Sequence, residues 1–310
     1  MNYYIGIDLG TSSCKGILLN RNGAVLADHS VNYPVSTPYT NWSEQDPADW
    51  YKATVEILKV LSEGREESVK GVGIAGQMHG LVMLDEHDEV IRPAILWNDG
   101  RSAPQTAYLN SLGTLPTLTG NIAFPGFTAP RILWVKENEP ENFAKAKKIC
   151  LPKDYLAYKL TGVFSSEYSD AAGMLLLDVQ NKCWSPEMCE ICGITVDMLP
   201  TLFESYEATG KLKAEYSLPN AILCAGAGDN AGAAVGTNTL RDGDCSISLG
   251  TSGTIFLPCD EFNTECGTAL HNFAHANGKF HLMGCILSAA SCNKWWIRDI
   301  LDTHYCDPAE

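Results

Sequence analysis

A short motif occurs twice in this chain, 240 residues apart, and it constrains the fold more than any other feature. Residues 7–12 read Ile-Asp-Leu-Gly-Thr-Ser and residues 247–252 read Ile-Ser-Leu-Gly-Thr-Ser, so five of six positions agree. Each copy ends an apolar strand pattern and precedes another. A chance likeness between two Gly-Thr-Ser turns is the simple alternative. The shared strand-turn-strand context favours a duplicated lobe instead, because structural setting is what confirms a motif.

The segment around the first copy predicts several strands and one helix in a defined order. Three apolar runs separated by short turns predict three consecutive strands. A helical pattern follows, with Asp46 as N-cap, Pro47 at the first helical position and Gly64 at the end. A further buried strand comes next, which gives a βββαβ order that a simple doubly wound sheet does not have. The strand patterns cover residues 3–9, 16–19, 24–31 and 69–75.

Composition and charge narrow the classes of partner. The 310 residues include 22 Lys and Arg against 37 Asp and Glu, a formal charge of −15, which disfavours nucleic acid and anionic membranes. No signal peptide or transmembrane run is found, so we expect a cytoplasmic protein with reduced thiols. Of 12 cysteines, only Cys189 and Cys192 form a C-x-x-C pair, and without a second pair they read as ordinary thiols. A homodimer is left open.

The two repeated turns carry backbone N–H groups and hydroxyls suited to phosphate. Such turns bind anions without bulky side chains, so two of them facing each other would hold a nucleotide such as ATP between lobes. Asp8, which has Ser248 as its counterpart, is the natural place to hold Mg²⁺. The alternative is a pair of ordinary hairpins stabilised by Ser and Thr. The predicted phosphate-binding residues are Gly10, Thr11, Ser12, Ser13, Gly250, Thr251 and Ser252.

Two further loops combine polar and aromatic side chains at predicted strand ends. Hydroxyl groups need paired donors and acceptors, and a sugar needs an apolar face to stack on, so these loops suit a polyhydroxylated ligand. Each residue also has a simpler interpretation: a structural histidine, a tryptophan packed in the core, or an Asp-Gly turn. The predicted ligand-binding residues are Gln77, Met78, His79, Trp97, Asn98 and Asp99.

Asp229 is the strongest candidate for a catalytic group. It follows a strand-like run, residues 221–228, and opens a predicted helix whose dipole would keep the carboxylate ionised. We expect an ordinary pKa of about 3.9, which still allows it to act as a base. Helix N-capping is the alternative role, since Asp is a preferred cap. Asn230 follows as a further ligand-binding candidate.

Taken together, these motifs resemble the FGGY carbohydrate kinases. The resemblance rests on residues 5–12, 74–80, 93–101, 151–155, 228–230 and 248–253, in that order. Within the family, Gln77 to Gly80 and Trp97 to Arg101 are most similar to the members that phosphorylate D-xylulose. Residues 126–134 resemble the family's first signature, but Arg131 stands where lysine is usual, a mild change if the side chain only packs or pairs with surface acids.

The resemblance implies an α/β, actin-like (ribonuclease H-like) ATPase fold with two lobes and the substrate in the cleft. It implies Asp229 as the general base, Met78 and His79 as sugar-binding residues, and Asp8 near Mg²⁺. Residues 11–12 and 250–252 would form the phosphate loops of an ATP site. We expect a complete sugar-binding lobe at residues 1–243 and an incomplete ATP-binding lobe at residues 244–310, because only 58 residues follow Ser252. Weak or absent kinase activity is therefore expected.

Other functions remain open on these residues. Ribulokinase, glycerol kinase and gluconokinase share the fold and the phosphate loops, so the sugar is the least certain part. A nucleotide switch of the actin or chaperone type would leave the two polar loops unexplained. A sugar-binding lobe without turnover fits the length of the chain.

Overall fold

The fold contains a large mixed sheet followed by a smaller antiparallel one. The computed structural model describes residues 1–250, 252–263, 265, 269–286 and 288–301, with residue 291 as backbone only. The strands are β1 (Tyr3–Leu9), β2 (Ser13–Asn20), β3 (Val25–Asn32), β4 (Glu44–Gln45), β5 (Val69–Gly76), β6 (Val82–Leu84), β7 (Ala94–Ile95), β8 (Lys148–Cys150), β9 (Ser165–Glu167), β10 (Leu177–Asp178), β11 (Cys183–Trp184), β12 (Thr201–Phe203), β13 (Ala208–Lys211), β14 (Ile222–Cys224), β15 (Ala227–Gly228), β16 (Ser246–Leu249), β17 (Gly253–Cys259), β18 (His271–Ala274) and β19 (Phe280–Ile286).

Helices connect and cover these strands. The α-helices are α1 (Pro47–Ser62), α2 (Ala103–Ser111), α3 (Leu115–Thr119), α4 (Thr128–Asn138), α5 (Pro140–Lys145), α6 (Pro152–Thr161), α7 (Tyr168–Ala171), α8 (Pro186–Cys192), α9 (Asp229–Gly236) and α10 (Ala290–Trp295). Short 3₁₀ turns lie at Glu66–Ser68, Ala172–Met174, Val196–Met198 and Ala214–Tyr216, and a π-helical turn at Trp296–Ile300. Among the described residues, no helix is both long enough and apolar enough to span a membrane.

The large sheet has the strand order β13-β14-β5-β1-β2-β3, with β15 also paired to β5. Strands β1, β2 and β3 are antiparallel neighbours, whereas β1, β14 and β15 run parallel to β5. The predicted βββαβ order is therefore confirmed. Leu9 pairs with Gly76, and Gly76 pairs with Gly228, so the carboxyl ends of three parallel strands meet at one edge.

Helix α1 packs on the antiparallel part of this sheet. Its N-cap is Asp46, whose side chain accepts a hydrogen bond from the Ala48 N–H, and Pro47 occupies the first turn, as predicted. The helix approaches closely because Gly16 has no side chain: a Cβ there would lie 2.2 Å from Cγ2 of Ile57. The helix and strand predictions of this region are correct to within a few residues.

The predicted strand at residues 221–228 is interrupted. Strands β14 and β15 are separated by Gly226, whose φ of +82° is a left-handed conformation that favours glycine. A Cβ at this position would lie 2.0 Å from the carbonyl oxygen of Ile74. The break allows β15 to continue beside β5 and to deliver Asp229 to the edge where β1 and β5 end.

The small sheet has the order β16-β17-β19-β18 and is fully antiparallel. It begins with the second copy of the motif, and both copies form the predicted strand-turn-strand unit: Leu9 pairs with Cys14, and Leu249 with Gly253. Phe273 of this sheet joins a buried cluster with residues of the preceding part of the chain. The boundary at residues 243 and 244 falls between α9 and β16 and stays a prediction.

Candidate active site

A cavity of about 540 Å³ lies where the parallel strands end and the small sheet packs against them. Both parts of the chain contribute to its wall. Residues from the large-sheet part include Met78, His79, Trp97, Asn98, Phe124, Asp229 and Asn230, and residues from the small sheet and its first turn include Gly250, Ser252, Thr254, His271, Met283 and Cys285. The structure thus brings the predicted sugar loops, the predicted base and the second phosphate turn to one cavity.

Asp229 is the first residue of α9, and the preceding Gly228 is the N-cap. Its Oδ1 accepts hydrogen bonds from the backbone N–H and the side-chain amide of Asn230, at 2.7 and 2.8 Å. Its Oδ2 has no hydrogen-bond partner among the described residues. Asn230 in turn accepts a bond from the Thr254 hydroxyl at 3.4 Å, which links α9 to the small sheet. One carboxylate oxygen is therefore held in place and the other is available.

The expectation of an ordinary pKa for Asp229 is wrong. Burial raises the pKa of this carboxyl to about 6, and the negative charge of Asp8 adds to the effect, although the bonds from Asn230 oppose it. The helix dipole is outweighed because the carboxylate loses most of its hydration. At pH 7 the group is still mostly ionised, and its proton affinity is closer to that of an efficient general base.

Asp8 lies near the end of β1, on the same edge as Asp229. Partial burial raises the pKa of Asp8, and the charge of Lys15 lowers it in part. Among the described residues, no group of three or more His, Cys, Asp or Glu is arranged as a metal site. The two carboxylates still fit a kinase-type Mg²⁺, which keeps several waters and takes only one or two protein carboxylates besides substrate phosphates.

The first turn, residues 10–13, is held by three side chains. Gly10 closes the turn by donating to the Ser13 carbonyl, and its own carbonyl accepts from the Tyr33 hydroxyl at 2.6 Å. The Thr11 carbonyl accepts from the Gln45 amide at 2.6 Å, and its hydroxyl accepts from the Trp97 indole at 2.9 Å. Trp97 therefore connects the predicted phosphate turn with the wall of the cavity.

The second turn joins β16 to β17. Gly250 donates its N–H to the Ser252 carbonyl at 2.9 Å and accepts from the N–H of Ala290 at the start of α10. Both Gly250 and Ser252 line the cavity. Thr251, the third residue predicted in this turn, lies outside the described residues.

His79 adopts a left-handed backbone conformation, with φ of +68°, and its ring faces the cavity. The Nδ1 atom is 2.8 Å from the Gly173 carbonyl oxygen. Because a carbonyl only accepts, Nδ1 carries the proton and Nε2 is left as an acceptor. Burial lowers the pKa of His79 to about 3, so the ring is neutral at pH 7. This imidazole can accept a hydrogen bond from a ligand hydroxyl.

Arg131, which stands where the family's signature usually has lysine, does more than pack or pair with surface acids. It is fully buried, and its guanidinium donates to the His79 backbone carbonyl at 2.7 Å, beside the Thr128 hydroxyl, which donates at 2.9 Å. Burial lowers the pKa of Arg131 to about 9. Arg131 therefore holds the backbone of the loop at residues 77–80 in position.

Two predicted ligand-binding residues have their polar atoms directed elsewhere. Both carboxylate oxygens of Asp99 are occupied: Oδ1 accepts from Arg101 at 2.9 Å, and Oδ2 accepts from the Ser43 N–H at 2.6 Å and from Arg101 at 2.7 Å. The amide of Gln77 is buried and donates to Gln45 at 3.1 Å. Asp99 lines the cavity together with Met78, Trp97 and Asn98, but its carboxylate oxygens and the Gln77 amide hold the loops in position.

A buried charged group, here called the Lys153 cluster (Lys153, Asp154, Glu167 and Asp170), lies behind Asp229. The Lys153 ammonium donates to Asp154 at 2.9 Å and lies 3.8 Å from Glu167 and 3.9 Å from Asp170. Burial alone would lower the pKa of Lys153, but the three carboxylates raise it above its usual range. The lysine is therefore a permanent cation beneath the site.

The Lys153 cluster is connected by hydrogen bonds to β15, the strand that directly precedes Asp229. Ser169 donates to Glu167 at 3.0 Å and accepts from the N–H of Gly228 at 3.1 Å, directly before Asp229. Both Asp170 oxygens are buried without a hydrogen-bond partner among the described residues. Burial raises the pKa of Asp170 well above its usual value, and the neighbouring carboxylates add to this, whereas the charge of Lys153 opposes it.

Several residues of the site carry no local sequence signal. Lys153 belongs to a segment that supported the resemblance, but its contact with three acids depends on the packing of α6 against β9 and α7. His271, Met283 and Cys285 come from strands that no motif marked. They reach the cavity only because the small sheet folds over the edge of the large one.

Comparison with known proteins gives the family. Residues 3–236 match the N-terminal domain of the FGGY family of carbohydrate kinases. The chain is 47% identical over 301 residues to the xylulose kinase of Klebsiella pneumoniae, covering 94% of this chain and 62% of that protein. A solved xyloylose kinase from Brucella ovis superposes with a TM-score of 0.93 at 41% identity, covering 96% of this chain and 64% of the other. A gluconate kinase from Lactobacillus acidophilus superposes at 0.90 and 26% identity, covering 95% and 62%.

These comparisons confirm the predicted α/β, actin-like fold. The chain spans about 62% of the length of the Klebsiella relative. The family match ends at residue 236, in the last turn of α9. The motif order, the sheet topology and this match agree: the chain belongs to the FGGY family of carbohydrate kinases.

Proposed function

We propose that the chain forms the sugar-binding site of an ATP-dependent kinase that converts D-xylulose to D-xylulose 5-phosphate. The observation that carries this proposal is Asp229, whose carboxylate lies in one cavity with the neutral His79 imidazole and the second Gly-Thr-Ser turn. The similarity to a xylulose kinase supports D-xylulose as the sugar. The similar gluconate kinase makes gluconate the second candidate.

In the proposed reaction, the terminal hydroxyl of the sugar lies next to Oδ2 of Asp229. The carboxylate takes the hydroxyl proton as the sugar oxygen bonds to the γ-phosphorus of ATP, and ADP leaves with the electrons of the broken P–O bond. Phosphoryl transfer has a loose transition state, so positioning supplies most of the acceleration. Asn230 fixes the orientation of the base through Oδ1.

The phosphates of ATP would lie between the turns at residues 10–13 and 250–252. Asp8 would hold Mg²⁺, which neutralises charge on the phosphates when bound. The Trp97–Thr11 hydrogen bond holds the first turn against the sugar pocket, so a sugar that packs on Trp97 stabilises the same turn.

The sugar is tested by calorimetry of the 310-residue chain with D-xylulose, D-ribulose, glycerol and gluconate, and ATP is titrated separately. We expect D-xylulose to bind most tightly. If another sugar binds more tightly, that sugar replaces D-xylulose as the proposed substrate. If ATP binds and no sugar does, the result favours a nucleotide switch. Because the chain spans about 62% of the length of the Klebsiella relative, we expect little turnover in a coupled ADP-release assay, and clear xylulose-dependent ADP release would contradict that expectation.

The base is tested with Asp229→Asn. The variant keeps the Asn230 contact and the cavity shape, so we expect sugar affinity within about threefold of wild type. Any sugar-dependent turnover should fall by about 10²–10⁴-fold, the usual worth of a general base. Asn98→Ala, a change in the cavity wall away from the base, is the control and should alter binding more than turnover. Wild-type turnover in Asp229→Asn would exclude Asp229 as the base.

A further inference from the structure

The small sheet contributes an imidazole to the sugar cavity. His271 opens β18, pairs with Met283 of β19, and lines the cavity together with that residue. The turn at residues 250–252 was predicted to contribute to a nucleotide site, whereas His271 faces the same space as His79 and Asp229. The small sheet therefore contributes side chains to the cavity wall in addition to the predicted phosphate-binding turn.

The position of His271 is closely fixed. The adjacent Asn272 exchanges two hydrogen bonds with Asn121, at 2.8 and 3.0 Å, which anchors β18 to the segment after α3. The imidazole stacks on Phe273, with ring centroids 5.3 Å apart and planes inclined by 12°. The ring of Phe124 lies nearly perpendicular to the imidazole, with the two ring centroids 5.0 Å apart. A side chain held in this way is pre-organised for a ligand.

The described residues leave a ring nitrogen of His271 without a hydrogen-bond partner. The Nδ1 atom is buried and has no hydrogen-bond partner among the described residues. Leaving a buried polar atom unpaired costs about 1–3 kcal/mol, so such an atom beside a cavity points to a ligand or water that completes it. Burial lowers the pKa of His271 to about 4, so the ring is neutral at pH 7 and offers one donor and one acceptor.

His79 and His271 complement each other across the cavity. The Gly173 carbonyl fixes the tautomer of His79, so Nε2 of that ring can only accept a hydrogen bond. His271 has no such constraint and can also donate. A sugar hydroxyl both donates and accepts, so a polyol can meet both rings.

We propose that His271 is a specificity-determining residue that hydrogen-bonds a hydroxyl group of the sugar from the small sheet. The sugar then bridges the two sheets, and its binding depends on how β18 packs. This inference rests on the proposed function. It assigns part of sugar recognition to a segment outside residues 3–236, the range that matches the family's N-terminal domain.

The test compares His271→Phe with the matched control His281→Phe. His281 lies on β19, and its ring stacks on Phe256 at 4.1 Å within the same aromatic cluster. We expect His271→Phe to weaken D-xylulose binding by about 3–10-fold, the worth of one neutral hydrogen bond of about 0.5–1.5 kcal/mol. His281→Phe should bind within about twofold of wild type. Calorimetry with the 310-residue chain measures both.

Deoxy analogues of D-xylulose separate a direct contact from a packing effect. Removing the hydroxyl that contacts His271 should weaken binding to wild type but not to His271→Phe, whereas a packing effect would give the same loss in both. His271→Gln keeps a hydrogen-bond donor and an acceptor, so it should recover part of the affinity for D-xylulose. If His271→Phe does not fold, His271→Gln takes its place in the comparison. Equal affinities of wild type, His271→Phe and His271→Gln would overturn the inference and leave the proposed function standing. Failure of wild type to bind any sugar of the panel would overturn both.

Discussion

Replacing Gly173 by alanine tests how His79, the proposed sugar-binding histidine, is held in position. A Cβ at this position would lie 2.4 Å from both Cε1 and Nδ1 of His79, and 3.3 Å from the methyl carbon of Met78. The first two distances are far below van der Waals contact, so the imidazole must move. Its hydrogen bond to the Gly173 carbonyl would then be lost or distorted.

The expected cost follows from two effects. Forcing an extra methyl group into a well-packed region costs about 1–3 kcal/mol. The lost hydrogen bond adds about 0.5–1.5 kcal/mol. We therefore expect Gly173→Ala to lower the free energy of unfolding by about 2–4 kcal/mol and to weaken D-xylulose binding by tenfold or more, although no polar side chain is removed.

Urea unfolding, followed by tryptophan fluorescence, measures the stability, and calorimetry measures the binding. Gly236→Ala is the control, since a Cβ there meets nothing within 4 Å at the exposed end of α9. Alanine is the better helix former by up to about 1 kcal/mol, so this variant should be unchanged or more stable. If Gly173→Ala unfolded at the wild-type urea concentration and bound sugar normally, the close contact with His79 would be refuted.

Three further predictions concern charge and pH. Lys153→Met should cost about 3–5 kcal/mol in urea unfolding at pH 7, because it leaves the buried carboxylates of Asp154 and Glu167 without their cation; wild-type stability in this variant would contradict a charged cluster. The pKa of His271 is lowered to about 4, so below pH 6.5 the unfolded chain takes up a proton that the folded chain does not, and stability falls as pH drops from 6.5 to 4 by up to about 3 kcal/mol from this residue. His271→Phe should flatten that slope, and an unchanged slope would rule out the neutral buried ring. Any sugar-dependent ADP release should fall as pH drops through about 6, where Asp229 takes up a proton, and a rate independent of pH between 5 and 7 would argue against this base.

Local patterns predicted much of the catalytic edge. Strand ends and the Gly-rich turns are short-range features that the sequence predicted, whereas the break at Gly226 in the predicted strand at residues 221–228 was not predicted. The family resemblance, and not the local patterns, implied that Asp8, Asp229 and the loop at residues 77–80 belong to one site. The same local reasoning could not tell which of those side chains face a ligand.

Asp99 and Gln77 show this limit. Their residue types suit a sugar, yet both oxygens of Asp99 accept from Arg101 or Ser43, and the side-chain N–H of Gln77 donates to Gln45. The partners lie as much as 56 positions away in the chain. Which hydrogen bonds a polar side chain makes depends on such long-range contacts, and no spacing rule includes them.

The repeated motif, read with the strands around it, was enough to predict a duplicated strand-turn-strand unit and the βββαβ order of the first elements. These features follow from steric and hydrogen-bonding rules that act over a few residues. Only the tertiary structure decided the tautomer of His79, the raised pKa of Asp229, the role of Arg131 and the arrival of His271 in the cavity. Each of these depends on desolvation or on contact with a distant segment, and both arise only when the chain has packed.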